Sequence, residues 1–147
     1  MTEINSIREL LEQYFHAIDS RDEQLLTSCF TADATALYHK GFVTQVSLVS
    51  SEGIARFLLK RTSVYSATTH LIGNTRIQVK DNTACTAMFS VANCVVANEP
   101  KILVRGIRYE DNLVRSDEAG WLIKDRVHIP QWQYEVASVL PAIPTRE

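Results

Sequence analysis

The sequence predicts an α+β fold in which three N-terminal helices pack against one cone-shaped, curved antiparallel sheet. Three observations carry this expectation. Apolar residues recur at helical spacing near the N-terminus, long stretches from Thr68 onward are rich in β-branched and aromatic residues, and the helical patterns precede those stretches instead of interleaving with them. The chain has 147 residues and a mass of 16.6 kDa, the size of one domain. We read a single domain over 1–147, with a core of about 1–136 and a C-terminal tail of 137–147 in which Pro141 and Pro144 discourage regular structure.

The first helix follows from Ile4, Ile7, Leu10, Leu11, Tyr14, Phe15 and Ile18, with Glu3, Arg8, Glu9, Glu12 and Gln13 between them. It should end near Asp19, because Ser20-Arg21-Asp22-Glu23 reads as a capping box opening a second, short helix from about Arg21 to Phe30. Thr31-Ala32-Asp33-Ala34 reads as a turn into a strand over Thr35 to Tyr38, and Lys40-Gly41 closes a hairpin onto Phe42 to Val46. Ser51-Glu52 opens a third helix whose Ile54, Phe57, Leu58 and Leu59 face inward. Four long strands follow: Thr68–Val79, Thr83–Val96, Ile102–Arg115 and Trp121–Tyr134. Turn signals separate them at Lys80-Asp81-Asn82, Asn98-Glu99-Pro100 and Ser116 to Gly120. The space between such a sheet and its helices is conical and can hold side chains or a ligand.

Composition narrows the function. The net charge of −2 and pI of about 6.1 leave no electrostatic footprint for nucleic acid. The longest apolar runs, such as Val95-Val96-Ala97, are far too short to span a membrane. Met1-Thr2-Glu3-Ile4-Asn5 lacks the basic and apolar regions of a signal peptide, so a cytoplasmic protein is expected, with Cys29, Cys85 and Cys94 as free thiols. The four histidines, His16, His39, His70 and His128, show no metal-ligand spacing, and no GxGxxG, Walker or GxSxG pattern occurs. Neither a cofactor nor a metal is expected.

Six segments stand out: Tyr14-Phe15-His16-Ala17-Ile18-Asp19-Ser20-Arg21-Asp22, Phe30 to Ala34, Gly53 to Leu58, Thr69-His70-Leu71-Ile72-Gly73-Asn74-Thr75, Arg108 to Asp111 and Gly120 to Arg126. In these segments the chain resembles the SnoaL-like branch of the nuclear transport factor 2-like superfamily. The resemblance implies a cystatin-like cone. Within the superfamily, scytalone dehydratase, bile-acid dehydratase and hexachlorocyclohexane dehydrochlorinase carry an Asp late in the first helix and a His early in the strand after the third. Asp19 and His70 occupy those positions here. The functional Tyr of the bile-acid enzyme falls on Tyr14, and the functional Arg of the dehydrochlorinase falls on Arg126. Two departures stand out: Asn93-Cys94 lies where scytalone dehydratase has a second pocket histidine, and Tyr14 lies where the dehydrochlorinase has a lysine.

These residue types suit elimination by proton abstraction. Histidine titrates near neutral pH, and a carboxylate on its other ring nitrogen fixes the tautomer and supports the imidazolium. Asp19 closes a helix, where the macrodipole disfavours negative charge, so a cationic partner would relieve it. The expected activity is therefore a cofactor-independent, dehydratase-like lyase or an isomerase acting on a small, largely apolar cyclic substrate. His70 is base, Asp19 orients it, Tyr14 polarises the substrate and Arg126 stabilises developing charge. Strict alternation puts Arg126 on the face opposite Trp121 and Ile123, so either Trp121 points away from the pocket or a bulge resets the parity. His128 shares the parity of Arg126. The alternative is a non-catalytic small-ligand-binding or assembly module with Asp19 and His70 as a structural pair. The expected partners are a small-molecule substrate and further copies of the chain, as a homo-oligomeric trimer or dimer, with no nucleic acid and no membrane.

Overall fold

The computed structural model describes residues 2–40 and 42–138, so the expectations placed on Pro141 to Glu147 and on Gly41 lie outside the described residues. Helix α1 (Glu3–Ser20) and helix α2 (Glu23–Thr27) lead into strand β1 (Phe30–Lys40) and strand β2 (Thr44–Val49). Helix α3 (Ser51–Thr62) then precedes strands β3 (Tyr65–Lys80), β4 (Thr83–Val96), β5 (Lys101–Ser116) and β6 (Gly120–Ala137). The six strands form one sheet in the order β2-β1-β6-β5-β4-β3. All its pairings are antiparallel except that of β1 with β6, which is parallel.

Strand β2 runs Thr44–Val49 where Phe42 to Val46 was expected, β3 begins at Tyr65 and not Thr68, and two further boundaries differ for a visible reason. Ser20 does not cap α2: it is the last residue of α1, and its hydroxyl donates to the His16 carbonyl at 2.7 Å. Arg21 ends α1 in the left-handed conformation (φ 58°), and Asp22 caps α2 by accepting from the Leu25 amide at 2.9 Å. A carboxylate two residues later thus wins the cap, and α2 shrinks to five residues. The second difference is β1. Residues Thr31 to Ala34, read as a turn, belong to the strand, where the pairing with β6 is irregular between Phe30 and Thr35.

The core lies between the helices and the concave face of the sheet. From α1 it takes Ile7, Leu11, Tyr14 and Ile18, from α3 Ile54 and Leu58. Every second residue of β4 from Ala84 to Cys94 is buried on this face, and most are small, which leaves the sheet room to curve around the helices. Four bulges shape that curve. One extra residue enters β3 between Tyr65 and Ala67 and another between Ile72 and Thr75, and two enter β6: Lys124 opposite the Asn112–Leu113 step and Gln131 opposite Gly106–Ile107. Lys124 resolves the parity of β6. Trp121 and Ile123 face the core before it, and Arg126 and His128 face the core after it.

Candidate active site

Asp19 and His70 meet where the last turn of α1 crosses β3. Arg21 pins this crossing: its guanidinium donates to the carbonyls of Thr62 (3.1 Å) and Tyr65 (2.5 Å). The Asp19 carboxylate then reaches the edge of β3. Oδ1 accepts from the Thr68 hydroxyl (2.8 Å) and pairs with His70 Nδ1 (2.6 Å), while Oδ2 accepts from the His70 amide (3.0 Å). Burial alone would raise the Asp19 pKa, but these bonds from His70 and Thr68 outweigh it and hold the carboxyl below its ordinary range. An ionised carboxylate on Nδ1 places the proton there, so neutral His70 keeps its lone pair on Nε2. Phe15 stacks on the imidazole with centroids 4.8 Å apart and sets the plane of the ring.

Among the described residues, His70 alone lines both a surface cleft beside Asp19 and the interior cavity of the cone. Tyr14, Tyr38, Arg105, Tyr109 and His128 share the cavity wall with it. The room for a water-sized sphere is ≈ 40 Å³, enough for a few waters. The Tyr14 and Tyr38 hydroxyls are 2.5 Å apart. Burial pushes the pKa of each up, so both are neutral and one of their two protons is left for a further acceptor. His128 is neutral as well: burial, with Arg105 and Arg61 nearby, drives its pKa down to about 2. Its Nδ1 accepts from the His39 amide at 3.3 Å, which leaves the proton on Nε2. Cys94, of the Asn93-Cys94 departure, also lines the cavity, and burial raises its thiol to about 11. It is therefore a neutral wall group, not a nucleophile.

Tyr14 and Asp19 do not converge directly. The helix continues through Ser20, so Tyr14 points into the core while Asp19 points to the edge of β3, and His70 stands between the two. Arg126 is not brought to the cavity wall. It is the cross-strand partner of Asp111, and two bonds of 2.7 Å tie its Nε and Nη2 to that carboxylate. The rings of Tyr14 and Tyr109 cover its guanidinium at 4.1 and 4.7 Å. Burial would lower the Arg126 pKa, but Asp111 more than offsets it and Arg126 stays charged.

The SnoaL-like domain family matches residues 1–127. The chain belongs to the SnoaL-like family. An uncharacterized protein of Mycobacterium tuberculosis is 28% identical over 132 residues, covering 86% of this chain and 84% of that one. Solved structures are similar in fold. A protein of Novosphingobium aromaticivorans provisionally named scytalone dehydratase has a TM-score of 0.78 at 17% identity, covering 97% of this chain and 91% of its own. A hexachlorocyclohexane dehydrochlorinase has a TM-score of 0.78 at 18% identity, covering 94% and 91%. A nuclear transport factor 2-like protein from Salmonella enterica has a TM-score of 0.77 at 17% identity, covering 88% and 92%. The fold of this SnoaL-like chain thus houses lyases among its members.

Sequence reasoning overlooked four residues in and around this SnoaL-like site. Arg105 and Asp111 share the inward parity of Ile107, Tyr109 and Leu113 along β5, so alternation could have flagged two inward charges. Tyr38 shares the inward parity of Ala36 on β1 in the same way. No sequence signal pointed to Arg61, in the last turn of α3.

Proposed function

We propose that this chain is a cytoplasmic, cofactor-independent lyase of dehydratase type, or an isomerase, acting by proton abstraction on a small cyclic substrate with an apolar body. The observation that carries the reading is the 2.6 Å bond between His70 Nδ1 and Asp19 Oδ1, at a side chain that opens onto the cavity. His70 Nε2 takes a proton from carbon next to a carbonyl, and Asp19 supports the imidazolium that forms. The free proton of the Tyr14–Tyr38 pair, and Nε2–H of His128, stabilise the developing enolate oxygen. In dehydration the C–O bond then breaks, the C=C bond forms, and His70 returns the proton to the departing hydroxide as water. Arg126 acts through Tyr14, holding its ring in place and placing a fixed positive charge beneath it.

Candidate β-hydroxy ketones and cyclic ketones incubated in D2O provide the test, with proton exchange read by NMR and elimination by enone absorbance. His70→Ala and Asp19→Asn, both folded, should lose about 10²–10⁴ of the rate of the wild-type chain. Equal rates in either variant would reject the assignment. One observation favours the non-catalytic reading: the cavity is narrow as it stands. Ligand binding without any exchange or turnover, unaffected by Asp19→Asn, would establish that reading instead. We also propose a homo-oligomer, dimer or trimer, formed through the outer sheet face, where Trp132, Tyr134 and Val136 are exposed.

A further inference from the structure

Arg105 is a buried cation without a counter-ion. It is 9% exposed, and its Nη2 is shielded from water with no hydrogen-bond partner. Among the described residues, no carboxylate pairs with Arg105 or with Arg61. Both guanidinium groups line the cavity that holds His70. Burial, then the charge of Arg105, lowers the Arg61 pKa, as expected for two cations facing a shared, poorly hydrated space. The other buried arginine, Arg126, shows the usual solution, with Asp111 supplying two bonds of 2.7 Å. A buried charge left without a partner is costly, and natural chains keep one where a ligand completes the pair.

We propose that the cavity takes a small carboxylic acid as its monoanion, with the carboxylate seated on Arg105 and flanked by Arg61. Only the placing of a reacting carbon at His70 rests on the lyase reading; the anion site stands on its own geometry. The register supports it. His70, Ala92 and Arg105 are successive cross-strand partners over β3, β4 and β5, on one face of the sheet. Neighbouring strands lie about 4.8 Å apart, so the imidazole and guanidinium stems stand about 10 Å apart with only the methyl of Ala92 between them. A ring seated over Ala92 would turn its carboxylate towards Arg105 and its reacting carbon towards His70, and admitting it requires the wall to open beyond the present ≈ 40 Å³. The planar guanidinium fork matches a carboxylate. Apart from Thr62 and Thr68, the rest of the wall is apolar or aromatic, with Leu58, Ile107 and Tyr109, and suits a ring better than a dianionic phosphate.

Titration calorimetry on the full chain at pH 7 tests this with benzoate, its neutral isostere benzamide, and phenyl phosphate. Benzoate should bind at least about 10-fold more tightly than benzamide, and more tightly than phenyl phosphate. Arg105→Met should erase the preference for benzoate over benzamide, and without ligand it should raise Tm by a few degrees, because it removes an uncompensated charge. Arg105→Lys, which keeps the charge if the methionine variant does not fold, should retain part of the preference. His70→Ala should keep the whole preference while losing turnover, so failure of the acid–base reading and failure of the anion site are separable. Equal binding of benzoate and benzamide, binding of neither, tighter binding of phenyl phosphate, or an unchanged preference in Arg105→Met would each overturn the proposal.

Discussion

His128 illustrates how a single residue couples the cavity to pH. Its imidazole is walled in by Tyr38, stacked at 4.8 Å, and by the edge of Tyr109 at 5.4 Å, with Arg105 and Arg61 adding repulsion towards a proton. In the unfolded chain this histidine protonates below a pH of about 6.5. In the fold it does so only near 2. The unfolded state therefore binds a proton that the folded state refuses, and stability must fall as pH drops from 6.5. One such group contributes a slope of up to about 1.4 kcal/mol per pH unit. Asp19 acts in the same direction but later, since a depressed carboxylate keeps its contribution until pH falls below the ordinary carboxylate range. Urea unfolding of wild-type and His128→Gln chains at pH 7 and pH 5 isolates the histidine. The substitution should flatten the pH dependence, and equal slopes would mean that the folded imidazole is already charged. At this scale Asp19 and His70 were legible because a resemblance and a helix end coincided on them. Arg105 was passed over although it shares the inward parity of Ile107 and Tyr109 along β5, because what it faces there depends on the strands and helices around it.

At the scale of the element, β6 decides what the site contains. One inserted residue, Lys124, moves Arg126 and His128 onto the face that Trp121 and Ile123 occupy before it. Strict alternation would have put them outside. The bulge also sets Arg126 directly across from Asp111 on β5, where Thr86 of β4 supports the carboxylate at 3.3 Å. Because both side chains are wholly buried, removing one partner strands the other. Arg126→Met should cost about 3–5 kcal/mol in urea unfolding, and adding Asp111→Leu should recover part of that loss. A double variant less stable than the single one would show that the pair itself, not the stranded charge, supplies the stability. The short α2 carries a related lesson. Ser20 and Asp22 both fit a capping pattern in sequence, and only the left-handed turn at Arg21 chose between them.

For the whole molecule, the helices cover one face of the sheet and leave the other open. On the open face Trp132 stacks on Tyr134 with centroids 5.9 Å apart and leans on Phe89 at 6.3 Å. Gly106 lets the indole lie this close to the strand, since a Cβ there would sit 2.1 Å from Trp132 Cε2. If this face joins copies of the chain, a Trp132→Lys, Tyr134→Glu double variant should sediment as a monomer with its far-UV spectrum unchanged. A wild-type chain that sediments as a monomer at micromolar concentration would dismiss the interface. Among the described residues no helix is long and apolar enough to cross a membrane.

Short-range pattern alone determined the fold class, the order of helices and strands, and most strand boundaries from Thr68 onward, because periodicities of 3.6 and 2 are written over neighbouring residues. It also placed Asp19 at a helix end and His70 early in a strand. Only the tertiary structure decided that Arg105 faces the cavity while Arg126 lies beneath it, and that His70 stands between Asp19 and Tyr14. Those outcomes depend on cross-strand register, and one bulged residue reverses every side chain beyond it. They depend too on how many side chains share one hollow, a sum that no local stretch of sequence contains.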